Sequence, residues 1–201
     1  MKVDVYLIRH GETDWNRETR FQGQTDTRLN STGEEQAKLL APIMAHLKPE
    51  LFLTSDLDRA IRTAEFANSL LNLPIEKHVH LREAHLGAME GRIRDEVIAA
   101  LGPDGWARWG AADDLDFGLP GGETKRQVLE RSLACLKEFV HQRPVLKKFA
   151  VITHGGVVKR LIFNARSAPR TKVSLDNCVI HHLTYTRGLD QWDYVTEISD
   201  S

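Results

Sequence analysis

The sequence predicts an α/β fold with a mostly parallel central sheet flanked by helices, and three observations lead there. Val3-Asp4-Val5-Tyr6-Leu7-Ile8 and Phe149-Ala150-Val151-Ile152-Thr153 are short β-branched and aromatic runs, the composition that buried parallel strands carry. Each runs into a histidine followed by glycine: Arg9-His10-Gly11 in one case, His154-Gly155-Gly156 in the other. Strand and helix patterns alternate along 201 residues, 41% of them apolar. That is enough for one domain with a sizeable core, spanning residues 1–201. Ligands of open α/β sheets sit beyond the carboxyl ends of the strands. Two strand–His–Gly units therefore build one site if their strands are neighbours. A cation, an imidazole and a glycine that lets backbone N–H groups approach suit a tetrahedral anion there.

The remaining elements follow in order. Residues 12–33 are polar and aperiodic, which reads as a long loop, and a loop of that length in a compact domain is usually functional or disordered. Ser31-x-x-Glu34 has capping-box spacing and opens a helix through Ala37, Leu40, Ala41, Met44 and Leu47, with a kink expected at Pro42. Leu51 to Thr54 is the second strand. Asp56 is placed to cap the next helix, whose apolar side is Leu57, Ala60, Ile61, Ala64, Ala67 and Leu71. Arg59 lies in its first turn, off that stripe, near the carboxyl end of the second strand. Ile75 to Leu81 reads as a polar strand and Arg82 to Gly87 as a loop. Residues 92–120 form an excursion over one face, with a helix near Asp95 to Leu101. A helix carrying Val128 to Val140 follows Pro120–Thr124, another follows His154-Gly155-Gly156 and runs through Val157, Leu161 and Ile162, and strands at Cys178–Thr184 and Trp192–Ile198 close the chain.

Net charge is −1, so there is no global electrostatic footprint for nucleic acid or an anionic membrane, and affinity for an anion must come from a local basic cluster. No apolar run reaches membrane-spanning length, and no signal peptide is evident. Cys135 and Cys178 lack a C-x-x-C motif and read as free thiols in a reducing cytoplasm. His78-x-His80 with His85 has no cysteine or spaced carboxylate beside it and reads as a solvated strand face, not a metal site. Trp106 and Trp109, one helical turn apart, fit a pocket lining and a satellite core equally.

Leu7-Ile8-Arg9-His10-Gly11-Glu12-Thr13, with Asn16, resembles the signature of the histidine phosphatase superfamily, which includes the phosphoglycerate mutases. Phe21-Gln22-Gly23, Leu29 to Gly33, Thr54 to Ala60, Leu81-Arg82-Glu83, Glu90-Gly91, Pro120 to Glu123 and Thr153 to Gly156 extend the match in family order. The resemblance implies a three-layer, phosphoglycerate mutase-like sandwich. It also implies that His10 is the nucleophile that forms a phosphohistidine, with Glu83 as proton donor and base and a protonated His154 as a further catalytic donor. Arg9, Asn16, Gln22, Gly23, Arg59 and Gly155 become the phosphate-binding set. The chemistry is coherent, because a neutral imidazole is a competent nucleophile near pH 7, and phosphoryl transfer mainly needs in-line positioning and stabilised oxygens. The arginines take the part a magnesium ion would otherwise play, so neither metal nor cofactor is expected.

Two enzymatic readings remain: a phosphatase acting on a small phosphorylated metabolite, or a mutase that depends on 2,3-bisphosphoglycerate. Leu81-Arg82-Glu83-Ala84-His85-Leu86-Gly87 is similar to the small phosphatases, whereas the mutases carry arginine and tyrosine where this chain has Ala84 and Leu86. A third reading, a non-catalytic phospho-ligand-binding module, conflicts with the complete set His10, Glu83 and His154. The C-terminal strand offers an edge for a homodimer.

Overall fold

The computed structural model describes residues 1–169 and 173–198. The elements are β1 (Lys2–Arg9), α1 (Asp14–Arg17), α2 (Ser31–Leu47), β2 (Phe52–Thr54), α3 (Asp58–Ala67), β3 (Ile75–Lys77), α4 (Arg94–Gly110), α5 (Lys125–His141), β4 (Lys148–Thr153), α6 (Gly155–Asn164), β5 (Ile180–Thr186) and β6 (Gln191–Ile198). The strands form one sheet in the order β3-β2-β4-β1-β5-β6. Pairs β3·β2, β2·β4 and β4·β1 are parallel, while β1·β5 and β5·β6 are antiparallel. Only β5 therefore runs against the rest, and β6 forms an edge.

Strand periodicity sorts the core into two layers. Val3, Val5 and Leu7 of β1 point to one face with Phe149 and Val151 of β4, against α5 and α6. Tyr6 and Ile8 point to the other, with Ala150 and Ile152, against Leu40 and Met44 of α2 and Ala60, Ala64 and Ala67 of α3. Alternate residues of one strand thus feed opposite cores, which is why the central strands read as unbroken apolar runs. Fully burying each such side chain contributes about 1.5–3 kcal/mol.

Local structure departs from the sequence reading in several places. The loop after β1 contains a single helical turn, α1, closed by a capping box between Thr13 and Asn16. Asn30, not Ser31, caps α2, its side chain accepting from the Gly33 N–H at 2.8 Å. Helix α2 runs through Pro42 without a break; the carbonyl that loses its partner belongs to exposed Lys38, where water can replace it. Asp56 caps nothing, because both its oxygens are taken by Arg82, at 2.7 and 2.6 Å. The polar strand ends at Lys77 and gives way to a 3-10 turn over Val79–Leu81. Helix α4 extends past the expected Leu101 to Gly110, because Gly102 at φ +66° turns the chain and Pro103 restarts the helix. Cys178 sits before β5 with φ +62°, outside the strand the pattern suggested.

Candidate active site

Register brings the two strand–His–Gly units together. In the parallel β1·β4 pair Arg9 lies opposite Thr153, so His10 and His154 leave the sheet at the same level. The His10 N–H donates to the Thr153 carbonyl at 2.9 Å, and the imidazoles meet edge to face with centroids 5.1 Å apart, close to the spacing of neighbouring strands. Both rings are at least 98% buried.

The environment of His10 sets its tautomer. Its Nδ1 lies 2.7 Å from the Gly11 carbonyl oxygen, which can only accept, so Nδ1 carries the proton and the Nε2 lone pair is free. His154 places Nε2 2.8 Å from the Ser55 hydroxyl, while its buried Nδ1 has no partner among the described residues. Burial first, and then the Arg59 guanidinium, hold both imidazoles well below the ordinary histidine range. His10 therefore stays neutral into mildly acid solution. Burial likewise disfavours the charged form of His154 in the free protein, and a bound anion is what would favour the protonated donor expected from sequence.

That neutrality has a stability cost at low pH. The unfolded chain takes up protons near pH 6.5 that the folded histidines refuse, so the stabilisation present above that pH is lost as the pH falls toward the folded values. We expect the melting temperature to drop between pH 7 and 5.5. The two residues together set a slope approaching ~2.7 kcal/mol per pH unit. A melting temperature flat across that range would refute the assignment.

Arg59 is fully buried. Its Nη1 donates to the Thr25 carbonyl and its Nη2 to the Gly23 carbonyl, each at 2.8 Å, and its Nε is unpartnered among the described residues. Burial pulls it down to about 10, so it remains charged at neutral pH. Gly23 reaches this position with φ +55°, and a Cβ there would sit 2.2 Å from a Glu90 carboxylate oxygen. Glu90 in turn accepts from the Gln24 and Thr25 N–H groups, each at 3.1 Å, and holds the loop on Arg59. The Arg9 guanidinium donates to the Leu175 carbonyl, leaving its own Nε buried and unpartnered among the described residues.

Glu83 takes backbone donors on both oxygens, the Ala84 N–H on Oε1 and the Gly156 N–H on Oε2, each at 2.9 Å. Arg131 fixes this loop by donating to the Glu83 and His80 carbonyls while paired with Glu123. A Cβ on Gly156 would stand 2.2 Å from Glu83 Oε1. Gly156→Ala must therefore displace that carboxylate. We expect a turnover loss of about 10²-fold with little change in melting temperature, since ångström misplacement has that scale. Unchanged kcat in a folded variant would remove Glu83 from the chemistry.

Arg9, His10, Asn16, Gln22, Gly23, Arg59 and Glu83 line one cavity of about 280 Å³, with Arg20, Phe21 and Leu86. His154 is not on its wall but supports His10 from the side. Gly155 lines a larger neighbour of about 380 Å³, which Trp106 and Trp109 wall and which shares Glu83 and Leu86 with the first. The tryptophans also pack against the main core, so both readings of them hold. Residues the sequence did not single out complete the cradle. Ser55 meets His154, Thr63 accepts from the Gly11 N–H at 3.0 Å, and Asn177 donates to the His10 carbonyl at 2.7 Å. Only the proximity of Ser55 and Thr63 to Arg59 in sequence hinted at them. Glu12 accepts from Asn30 at 2.8 Å and orients the loop.

The family described as the histidine phosphatase superfamily (branch 1) matches residues 5–197. Glucosyl-3-phosphoglycerate phosphatase from Mycolicibacterium vanbaalenii is 36% identical over 167 residues, covering 78% of this chain and 71% of the relative. The probable phosphoglycerate mutase GpmB of Salmonella typhi is 32% identical over 197 residues, covering 94% and 87%. Among solved structures, Bacillus stearothermophilus YhfR superposes with a TM-score of 0.87 at 27% identity, covering 99% of this chain and 98% of its own. Mycobacterial glucosyl-3-phosphoglycerate phosphatase in complex with VO3 superposes at 0.84 with 26% identity, covering 96% and 98%.

Proposed function

This chain belongs to the histidine phosphatase superfamily, and from that premise we propose that it is a phosphomonoester hydrolase that works through a phosphohistidine on His10. The observation that carries the proposal is the free Nε2 lone pair of a neutral, buried His10 that lines one anion-sized cavity with the Arg9 and Arg59 guanidinium groups. Nε2 attacks phosphorus in line, and the P–O bond to the leaving group breaks as the N–P bond forms. Arg9 and Arg59 hold the non-bridging oxygens with permanent charge and a planar fork. The Gly11 carbonyl on Nδ1–H stabilises the positive charge that develops on the ring. A phosphomonoester that enters as its monoanion brings a proton, which Glu83, at the junction of the two cavities, relays to the leaving oxygen before taking one from the water that attacks the phosphohistidine. Asn16, Gln22 and Gly23 shape the oxygen cradle, with Gln22 held by the Thr13 and Thr27 hydroxyls.

A solved relative that complexes with VO3 supports an oxyanion as ligand, and the glucosyl-3-phosphoglycerate phosphatase likeness supports a small phosphorylated metabolite as substrate. The GpmB likeness supports the alternative, a mutase returning the phosphoryl group to a second hydroxyl. A phosphorus NMR time course with 3-phosphoglycerate and a trace of 2,3-bisphosphoglycerate separates them. Inorganic phosphate alone supports the hydrolase, and accumulation of 2-phosphoglycerate establishes the mutase. Among the described residues no helix is long and apolar enough to cross a membrane.

A further inference from the structure

Arg9 is aimed by a short loop that precedes β5. In the antiparallel β1·β5 pair Leu7 lies opposite His181 and Ile8 opposite Ile180, where β5 begins. Arg9 therefore runs past the end of that neighbour and has no ladder partner on that side. Residues 174–178 take over. The Cys178 N–H donates to the Arg9 carbonyl at 3.0 Å, and the Leu175 carbonyl accepts from the Arg9 guanidinium. Between them Asn177 donates to the His10 carbonyl at 2.7 Å, and Arg9 feels the charge of Asp176. One loop thus holds Arg9 at its main chain and at its fork, and holds the nucleophile's main chain as well.

A buried side chain that the mechanism does not use fixes the near end of this loop. His181 is 1% exposed and stands on the sheet face that Leu7 and Arg9 share, because alternate residues point the same way. Its Nε2 lies 3.0 Å from the Ser174 carbonyl and its Nδ1 3.4 Å from the Tyr194 hydroxyl. A carbonyl can only accept, so Nε2 carries the proton and Nδ1 accepts from the tyrosine. A register shift between His182 and Leu183 brings Tyr194 opposite Leu183, diagonal to His181 and within its reach. Ser174 is itself only half-buried, so water can satisfy its carbonyl and the fold does not depend on this contact. What the contact fixes is direction, since the next carbonyl along the chain is the one that takes Arg9.

We propose that His181 is a positioning residue for phosphoryl transfer: it holds the Ser174 carbonyl, so that the Leu175 carbonyl keeps the Arg9 fork turned toward the oxygens of the transferring group. A planar fork binds in one orientation only, and small misplacement of such a clamp is felt in the rate. This assignment rests on the phosphohistidine reading of His10 and adds to it a residue of β5 that acts through Arg9.

A double-mutant cycle with Arg9 tests it, read in kcat/KM for 4-nitrophenyl phosphate and in calorimetric affinity for vanadate. His181→Leu should lower both by about tenfold, the scale of one hydrogen bond. In an Arg9→Met background the same change should cost less than about twofold, because the group it aims is gone. His181→Gln, whose amide reaches the Ser174 carbonyl, should restore most of the loss. Should His181→Leu fail to fold, His181→Asn takes its place, since it keeps a polar group beside Tyr194 but is too short for Ser174. A loss of equal size in both backgrounds, no loss in either, or no rescue by glutamine overturns the assignment. Vanadate affinity reads Arg9 whether the phosphoryl group passes to water or to a second hydroxyl. Failure of the hydrolase reading would therefore leave the cycle in vanadate affinity intact.

Discussion

Replacing His10 by alanine is expected to abolish the phosphoenzyme and lower turnover by about 10⁵-fold or more, the scale on which loss of a covalent nucleophile falls. The geometry leaves no substitute. The Nε2 of His154 is engaged with the Ser55 hydroxyl, and its ring supports His10 from outside the cavity wall. Other cavity residues offer carboxylate, amide or guanidinium groups, none with a free imidazole lone pair. Rapid-quench labelling under alkaline denaturation, which preserves a phosphoramidate, should show a burst in the native protein and none in the variant. The fold should survive. The Asn177 and Thr153 contacts are to the His10 main chain, and His10→Gln fills most of the volume for comparison. A His10→Ala protein with normal turnover would sink the mechanism, and one with no turnover but unchanged cellular function would revive the non-catalytic module.

Those parts of the site that follow buried strands were legible in the sequence, because β1 and β4 carry unbroken apolar runs and each delivers its histidine at the strand end. Pairing of the two strands could be inferred from the repeated His–Gly pattern, whereas the Arg9–Thr153 register could not. What stayed hidden has common physical causes. The α1 turn is one turn long, too short for any periodicity to show. Gly102-Pro103 reads as the end of a helix, yet it is a kink across which α4 carries Trp106 and Trp109 onto the cavity. Asp56 has the composition of a helix cap but is claimed by Arg82, a partner 26 residues away. Arg59 falls off an apolar stripe and so reads as half-exposed, while the loop at residues 23–25 folds over it and supplies carbonyls that no local pattern encodes.

Arg59 is where fold and chemistry are hardest to separate, and Arg59→Met is expected to damage both. Methionine replaces the apolar stem, but it leaves the Thr25 and Gly23 carbonyls without their donors. An unsatisfied buried carbonyl costs about 1–3 kcal/mol, so the pair predicts a destabilisation of roughly 2–4 kcal/mol after relaxation of the loop. In the native protein Arg9 and Arg59 line the same cavity, Arg59 feels the charge of Arg9, and each feels the negative charge of Glu83. A phosphate dianion relieves their mutual repulsion and completes the buried guanidinium, so inorganic phosphate or vanadate should raise the melting temperature of the native protein. That rise should vanish in Arg59→Met, and kcat/KM should fall by about 10³-fold or more, as for other arginine clamps on a transferring phosphoryl group. Arg59→Lys separates the two roles. One ammonium keeps the charge but cannot span both carbonyls and a phosphate oxygen in a plane. Stability should return more fully than turnover, and a lysine variant recovering both equally would mean that Arg59 acts as a point charge and not as a fork.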